Sequence, residues 1–166
     1  MTSIFEPCNI IKAYDSFDMK KYRNDGYDTI LLDVDNTITP YFKKIPDEKG
    51  KAFVNRLKEA GFNVIVFSNN TNNRVKLVAE SIDCEYLCWS LKPLPIGFLR
   101  AKIKYGIDLK KCICMGDQLI TDVLGANIMK VYSIYCKPIS EEDSFITSIN
   151  RKMERFIFKN ILHEEV

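Results

Sequence analysis

The sequence predicts an α/β fold: a three-layer sandwich around a central parallel sheet of about five strands. Three observations predict it. Short runs of ~4–6 residues rich in Ile, Val and Leu, without strict alternation, suit parallel strands covered on both faces. Segments of helical periodicity separate those runs, which implies right-handed crossovers onto one sheet. A length of 166 residues allows one real core and is too short for two ordinary domains.

The strands are expected, in order, at Thr29 to Leu32, Asn63 to Phe67, Glu85 to Trp89, Lys111 to Met115 and Val131 to Tyr135. A first helix opens at Pro46-Asp47-Glu48, sets Phe53, Val54, Leu57 and Ala60 on one face, and ends at Gly61. A second runs from about Thr71 to Ile82, a third from Ile96 to Tyr105 with Gly106 as its stop, and a fourth begins near Thr121. The whole chain, 1–166, reads as one domain, with residues 1–26 as an N-terminal extension and residues 144–163 as a basic amphipathic helix. No repeat or low-complexity linker divides it.

A hydrophobic share of 46% and a charged share of 28% are those of a globular chain rather than a disordered one. A net charge of +2 gives no argument for nucleic acid, and none is expected as a partner. No run reaches the ~20 apolar residues of a membrane span. The first fifteen residues lack the basic start and apolar stretch of a signal peptide, so a cytoplasmic protein is expected. Six cysteines form no CxxC pair and the sole histidine is His163, so no zinc site is expected and the thiols read as buried and reduced.

In an open parallel sheet, ligands bind at the carboxyl ends of the strands, near the point where strand order reverses. Four polar clusters fall at such ends. Asp33-Val34-Asp35-Asn36-Thr37 follows the first strand. Its two carboxylates suit a small hard cation, and a carboxylate can attack a phosphoryl group. Ser68-Asn69-Asn70 ends the second strand, where a hydroxyl and helix N-terminal amides can cradle phosphate. Lys92-Pro93 follows the third and supplies a cation. Gly116-Asp117-Gln118-Leu119-Ile120-Thr121-Asp122 ends the fourth, with Asp117 and Asp122 as further acids. Singly, each has an ordinary reading: a capped turn, a helix cap, a solvated lysine, a glycine turn. Four in this order at successive strand ends point to one site.

These residues resemble the four motifs of haloacid dehalogenase (HAD) superfamily phosphatases: Asp33-x-Asp35-x-Thr37, Ser68, Lys92, and Gly116-Asp117 with Thr121-Asp122. The resemblance implies a HAD-like Rossmannoid fold and a Mg²⁺ cofactor. It implies Asp33 as nucleophile and metal ligand, and Asp35 as general acid and base, itself counted with the metal. The Val34 carbonyl, Asp117 and Asp122 are implied as further metal ligands or supports. Thr37, Ser68, Asn69 and Lys92 are implied to bind the substrate phosphate.

The spacing leaves no room for a cap domain, because the segments from Asp35 to Ser68 and from Ser68 to Lys92 each hold one helix and one strand. The whole chain is similar to the YqeG-type capless subfamily. It shares Leu32 to Pro40, Phe67 to Asn70 with Arg74-Val75, and Gly116 to Val123 leading to Gly125-Ala126-Asn127. It departs at Leu91, where relatives often have a small residue, and at Ser144 to Ser148.

That subfamily is similar to phosphatases that convert phosphatidylglycerophosphate to phosphatidylglycerol, which implies a lipid phosphomonoester and peripheral contact with the inner face of an anionic membrane. In the C-terminal helix, Ile149, Met153, Phe156, Ile157 and Ile161 recur at helical spacing, with Arg151, Lys152, Arg155 and Lys159 largely on other faces. That pattern fits either a membrane-surface helix or one covering the sheet. A phosphoprotein, a nucleic-acid end or a soluble metabolite is the alternative substrate, and a binding module without turnover the alternative class.

Overall fold

The computed structural model describes residues 3–140 and 145–162. The elements, in chain order, are β1 (Asn9–Ile11), α1 (Met19–Asn24), β2 (Thr29–Leu32), α2 (Glu48–Glu59), β3 (Asn63–Phe67) and α3 (Asn72–Ser81). They continue as β4 (Glu85–Leu87), α4 (Pro95–Tyr105), β5 (Cys112–Gly116), α5 (Leu124–Ile128), β6 (Tyr132–Cys136) and α6 (Phe145–Ile157). All six strands pair in parallel, in the order β1-β6-β5-β2-β3-β4.

The sheet thus has one strand more than the apolar runs suggest. The extra strand is β1, three residues that pair Asn9 with Ile134 and Ile11 with Cys136. So short a run carries no periodicity, and only the exposed edge of β6 gives it a partner. The chain moves outward from β2 through β3 to β4, then returns to β5 and β6 on the other side of β2. The reversal lies between β2 and β5, so the segments after these two strands face each other across the switch point.

Side-chain parity builds the layers. Ile30, Leu32, Val64, Val66, Ile113 and Met115 pack with Phe53, Val54 and Leu57 of α2 and Val75 and Val78 of α3. The alternate residues Leu31, Ile65, Phe67, Cys112 and Cys114 pack with Phe98 and Ala101 of α4 and Ala126 of α5. With period-2 side chains, a central strand covered on both faces must be apolar throughout. β2 meets this condition at Ile30, Leu31 and Leu32, and its one buried polar residue, Thr29, donates its hydroxyl to Asp28 Oδ1 at 2.8 Å. Removing one such side chain, as in Leu31→Ala, would cost about 2–5 kcal/mol.

Local chemistry sets the helix ends. Asp47 accepts from the Gly50 amide at 3.0 Å and caps α2, and Gly61 turns the chain beyond it at φ +88°. Gly106 closes α4 at φ +65°. The expected helix near Thr121 is a π-helical turn, Leu119–Val123, that runs into α5. The third strand stops at Leu87, two residues earlier than its apolar pattern, and Trp89 turns outward.

A further π-helical turn, Phe158–Leu162, continues α6. The ends of the expected helix at residues 144 and 163, and His163, lie outside the described residues. Its apolar positions divide: Ile157 and the neighbouring Phe158 are buried against Tyr135 and Leu119, while Met153, Phe156 and Ile161 are exposed. No helix among the described residues is long and apolar enough to cross a membrane. Cys112, Cys114 and Cys136 are buried free thiols, and burial pushes Cys112 and Cys136 up to about 12.

Candidate active site

The loops after β2, β3, β4 and β5 enclose a cleft of about 290 Å³, lined by Asp33, Asp35, Ser68, Lys92, Thr121 and Asn150 among others. At its dry end Lys92 Nζ donates to Asp33 Oδ1 at 2.8 Å, to Asp122 Oδ1 at 2.6 Å and to the Phe67 carbonyl at 2.8 Å. All three ammonium hydrogens are used in one fixed geometry. Asp122 also accepts from the Gln118 amide at 3.1 Å, so it serves to hold the lysine. Gly116 permits this: a Cβ there would lie 2.2 Å from Asp122 Cγ.

Burial alone would weaken the Lys92 ammonium, but Asp122 and Asp33 outweigh it and hold the pKa above that of ordinary lysine. Burial pushes the Asp33 carboxyl well above the carboxylate range; Lys92 opposes this, and Asp122 and Asp117 reinforce it. Asp117 is pushed up to about 7 by burial, which outweighs the opposing Arg151.

Asp33, Asp117 and Asp122 can each bring an oxygen to within 4.8 Å of the others. Hard carboxylate oxygens suit Mg²⁺. The electrostatics fit as well. Five carboxylates (Asp33, Asp35, Asp117, Asp122 and Glu154) face three cations (Lys92, Arg74 and Arg151) in the ion pairs around the cleft. Burial first, and that excess after it, raise the Asp33 and Asp117 values, and a divalent cation would relieve the excess.

Asp35 stands apart from this group, at the open end. Arg74 donates to its Oδ1 through Nε at 3.2 Å and Nη2 at 2.7 Å, and Asn70 Nδ2 donates to Oδ2 at 3.0 Å. The same arginine reaches the Lys44 carbonyl. Arg74 lies in the first turn of α3, and helical side chains tilt toward the N-terminus. That tilt is a sequence signal that could bring Arg74 toward the strand ends, without naming its partner.

Several expected residues sit differently from their implied roles. The Val34 carbonyl accepts from the Thr37, Ile38 and Thr39 amides at 3.1, 3.1 and 3.2 Å, so in this structure it closes the turn. Thr37 is fully buried and its hydroxyl donates to Asp117 Oδ1 at 3.2 Å rather than facing the cleft. The Asn69 side chain organises the lysine loop: its Oδ1 accepts from the Lys92 amide and Ser90 Oγ at 2.7 Å each, and its Nδ2 donates to the Lys92 carbonyl at 2.9 Å. Ser68 faces the cleft, with Oγ accepting from the Asn70 amide at 3.2 Å.

Arg151 of α6 is the largest departure from the sequence pattern. It lies not on a solvated basic face but against the site, donating to the Asp117 carboxylate and carbonyl and, at 3.1 Å, to Glu154. Beside it Asn150 donates to Gln118 at 3.2 Å. No local signal marks Arg151, because its partner is 34 residues away in sequence.

A family model for haloacid dehalogenase-like hydrolases matches residues 43–129. The chain belongs to the haloacid dehalogenase-like hydrolases. The matched segment contains Ser68, Lys92, Asp117 and Asp122, while Asp33 and Asp35 precede it. A Bacillus subtilis (strain 168) protein described as "Probable phosphatase YqeG" is 31% identical over 157 residues, covering 95% of this chain and 91% of that protein. Within the hydrolases, the chain is therefore a YqeG-type phosphatase. A crystal structure of an uncharacterized protein from Listeria monocytogenes serotype 4b shares the fold, with a TM-score of 0.56 at 14% identity, over 81% of this chain and 99% of that one.

Proposed function

We propose that this phosphatase is a Mg²⁺-dependent phosphomonoester hydrolase that works through an aspartyl-phosphate on Asp33 and acts on phosphatidylglycerophosphate. The observation that carries the chemistry is the Lys92 bridge. One buried ammonium holds Asp33 through Oδ1 and fixes it beside Asp122, in the cleft that Asp35 also lines.

The substrate phosphate enters beside Ser68, within the field of the Lys92 ammonium. Asp33 Oδ2 attacks phosphorus in line, forming the acyl-phosphate bond as the bond to the leaving alcohol breaks. The leaving oxygen takes a proton from Asp35, which Arg74 and Asn70 orient. Asp35 then takes a proton from water as that water attacks the phospho-Asp33, releasing inorganic phosphate and restoring both carboxyls. Bound through Asp33 and Asp117, with Asp122 behind them, Mg²⁺ would supply charge neutralisation to the phosphoryl oxygens. Lys92 supplies part of the same neutralisation without the metal.

A lipid substrate is supported by the absence of any inserted domain over the cleft. Only α2 and β3 lie between Asp35 and Ser68, and only α3 and β4 between Ser68 and Lys92. The test is Mg²⁺-dependent phosphate release from phosphatidylglycerophosphate in mixed micelles, with Asp33→Asn as the folded inactive control. Rapid turnover of soluble or protein phosphates beside an inert lipid would overturn the substrate and keep the chemistry.

A further inference from the structure

The outer face of α4 is built unlike that of α2, which covers the opposite side of the sheet. α2 turns Glu48, Lys51, Arg56 and Lys58 outward, and none of its large apolar residues is exposed. α4 buries Gly97, Phe98 and Ala101, and on the opposite side exposes Ile96, Leu99 and Ile103, the last at 83%. At 3.6 residues per turn the two sets lie half a turn apart. Arg100 and Lys104 flank the exposed stripe on one side and Lys102 on the other, and α4 contains no acidic residue.

The stripe continues into the loop that presents Lys92. Trp89, Leu91 and Leu94 are each about half exposed. Trp89 and Leu91 sit at φ 48° and 58°, a backbone region unfavourable for bulky side chains. Fixed points maintain that conformation. Asn69 clamps Ser90 and Lys92, Arg100 donates to the Trp89 carbonyl at 2.7 Å, and Gly97 lets α4 touch the Ser90 carbonyl, which a Cβ would meet at 1.9 Å. The loop thus holds three apolar side chains at the surface beside Lys92, continuous with the stripe of α4.

We propose that α4 and the Lys92 loop form a docking face for an anionic lipid surface. The apolar stripe enters the acyl boundary, and its flanking cations meet the headgroups. The inference rests on the phosphatase reading and deepens its lipid substrate: docking here sets the cleft beside the membrane. A second copy is a poorer occupant. Two-fold packing of this face on itself would oppose cations with no acid on α4 to balance them.

Trp89 is the sole tryptophan and reports directly on the face. The wild-type protein is titrated with vesicles of phosphatidylcholine containing phosphatidylserine at about 30%, free of any phosphomonoester lipid, and with pure phosphatidylcholine; attraction to the anionic surface is screened by salt. A blue shift of Trp89 emission and co-sedimentation are expected with the anionic vesicles only. Leu99→Glu/Ile103→Glu should weaken this binding ~10-fold or more, with hydrolysis of p-nitrophenyl phosphate within ~2-fold of wild type.

Wild type that ignores anionic vesicles, binding unchanged in the double variant, or a dimer dissolved by it would overturn the docking face. Loss of binding only in Phe156→Glu would place the contact on α6 and do the same. If α4-dependent binding holds but phosphatidylglycerophosphate is not hydrolysed, the substrate assignment fails and the docking face stands. Turnover of that lipid without α4-dependent binding gives the reverse.

Discussion

The two ends of the cleft solve opposite problems. At the inner end Lys92, Asp122 and Asp117 are buried and their hydrogen bonds are satisfied within the protein. At the outer end the Arg74–Asp35 pair is partly solvated, with side chains 17% and 18% exposed. A dry, fixed ammonium neutralises charge strongly and needs no reorganisation during reaction. A carboxyl that must give and take a proton needs access to water and a looser hold. In the proposed mechanism the inner end therefore sets the electrostatics and the outer end handles the proton.

Asp33→Asn tests the inner end most severely. It should cut turnover ~10⁴-fold or more, with the fold retained, as seen by circular dichroism and phosphate release. Lys92→Met leaves two buried carboxylates without their cation. It should lower stability by about 3–5 kcal/mol in urea unfolding as well as abolish activity.

Arg151→Gln separates metal from protein neutralisation. The metal-free protein should lose about 3–5 kcal/mol, while the Mg²⁺-induced rise in thermal midpoint grows, because the cation then has no competitor at Asp117. A smaller Mg²⁺ response would show that Arg151 holds Asp117 for the metal instead. Arg74→Lys perturbs the outer end alone. Turnover should fall ~10–100-fold while stability changes by less than ~1 kcal/mol, since a partly solvated pair contributes little to folding. Equal stability losses at both ends would break the contrast.

The smallest effect is in pH. Asp117 has a folded value of about 7 against an ordinary 3.8. Between those values the native state binds more protons than the unfolded chain, so metal-free stability falls as pH rises through this window. Saturating Mg²⁺ should flatten the fall, measured as the thermal midpoint from pH 4.5 to 7.5.

Much of the site was legible because its chemistry lies where strands end. Asp33, Ser68, Lys92 and Asp117 each follow a β-branched or apolar run, and a parallel sheet must bring those ends together. Finer assignments were less legible where one residue type has several uses. The Val34 carbonyl and the Asn69 amide could equally serve a ligand or the loop itself, and the unpaired amides of two tight turns claimed them. β1 escaped because three residues show no period.

By itself the sequence determined the alternation of buried strands and amphipathic helices, and through it the sheet and the four chemical positions at its edge. Period and hydrophobicity act over a few residues and survive any context. Only the tertiary structure decided that Arg74 serves Asp35, that Arg151 pairs with Asp117, and that α4 turns its second apolar stripe to water. A long cation has no preferred partner in sequence, and an apolar stripe no preferred side. Both are settled by which buried charge or open surface the fold leaves within reach.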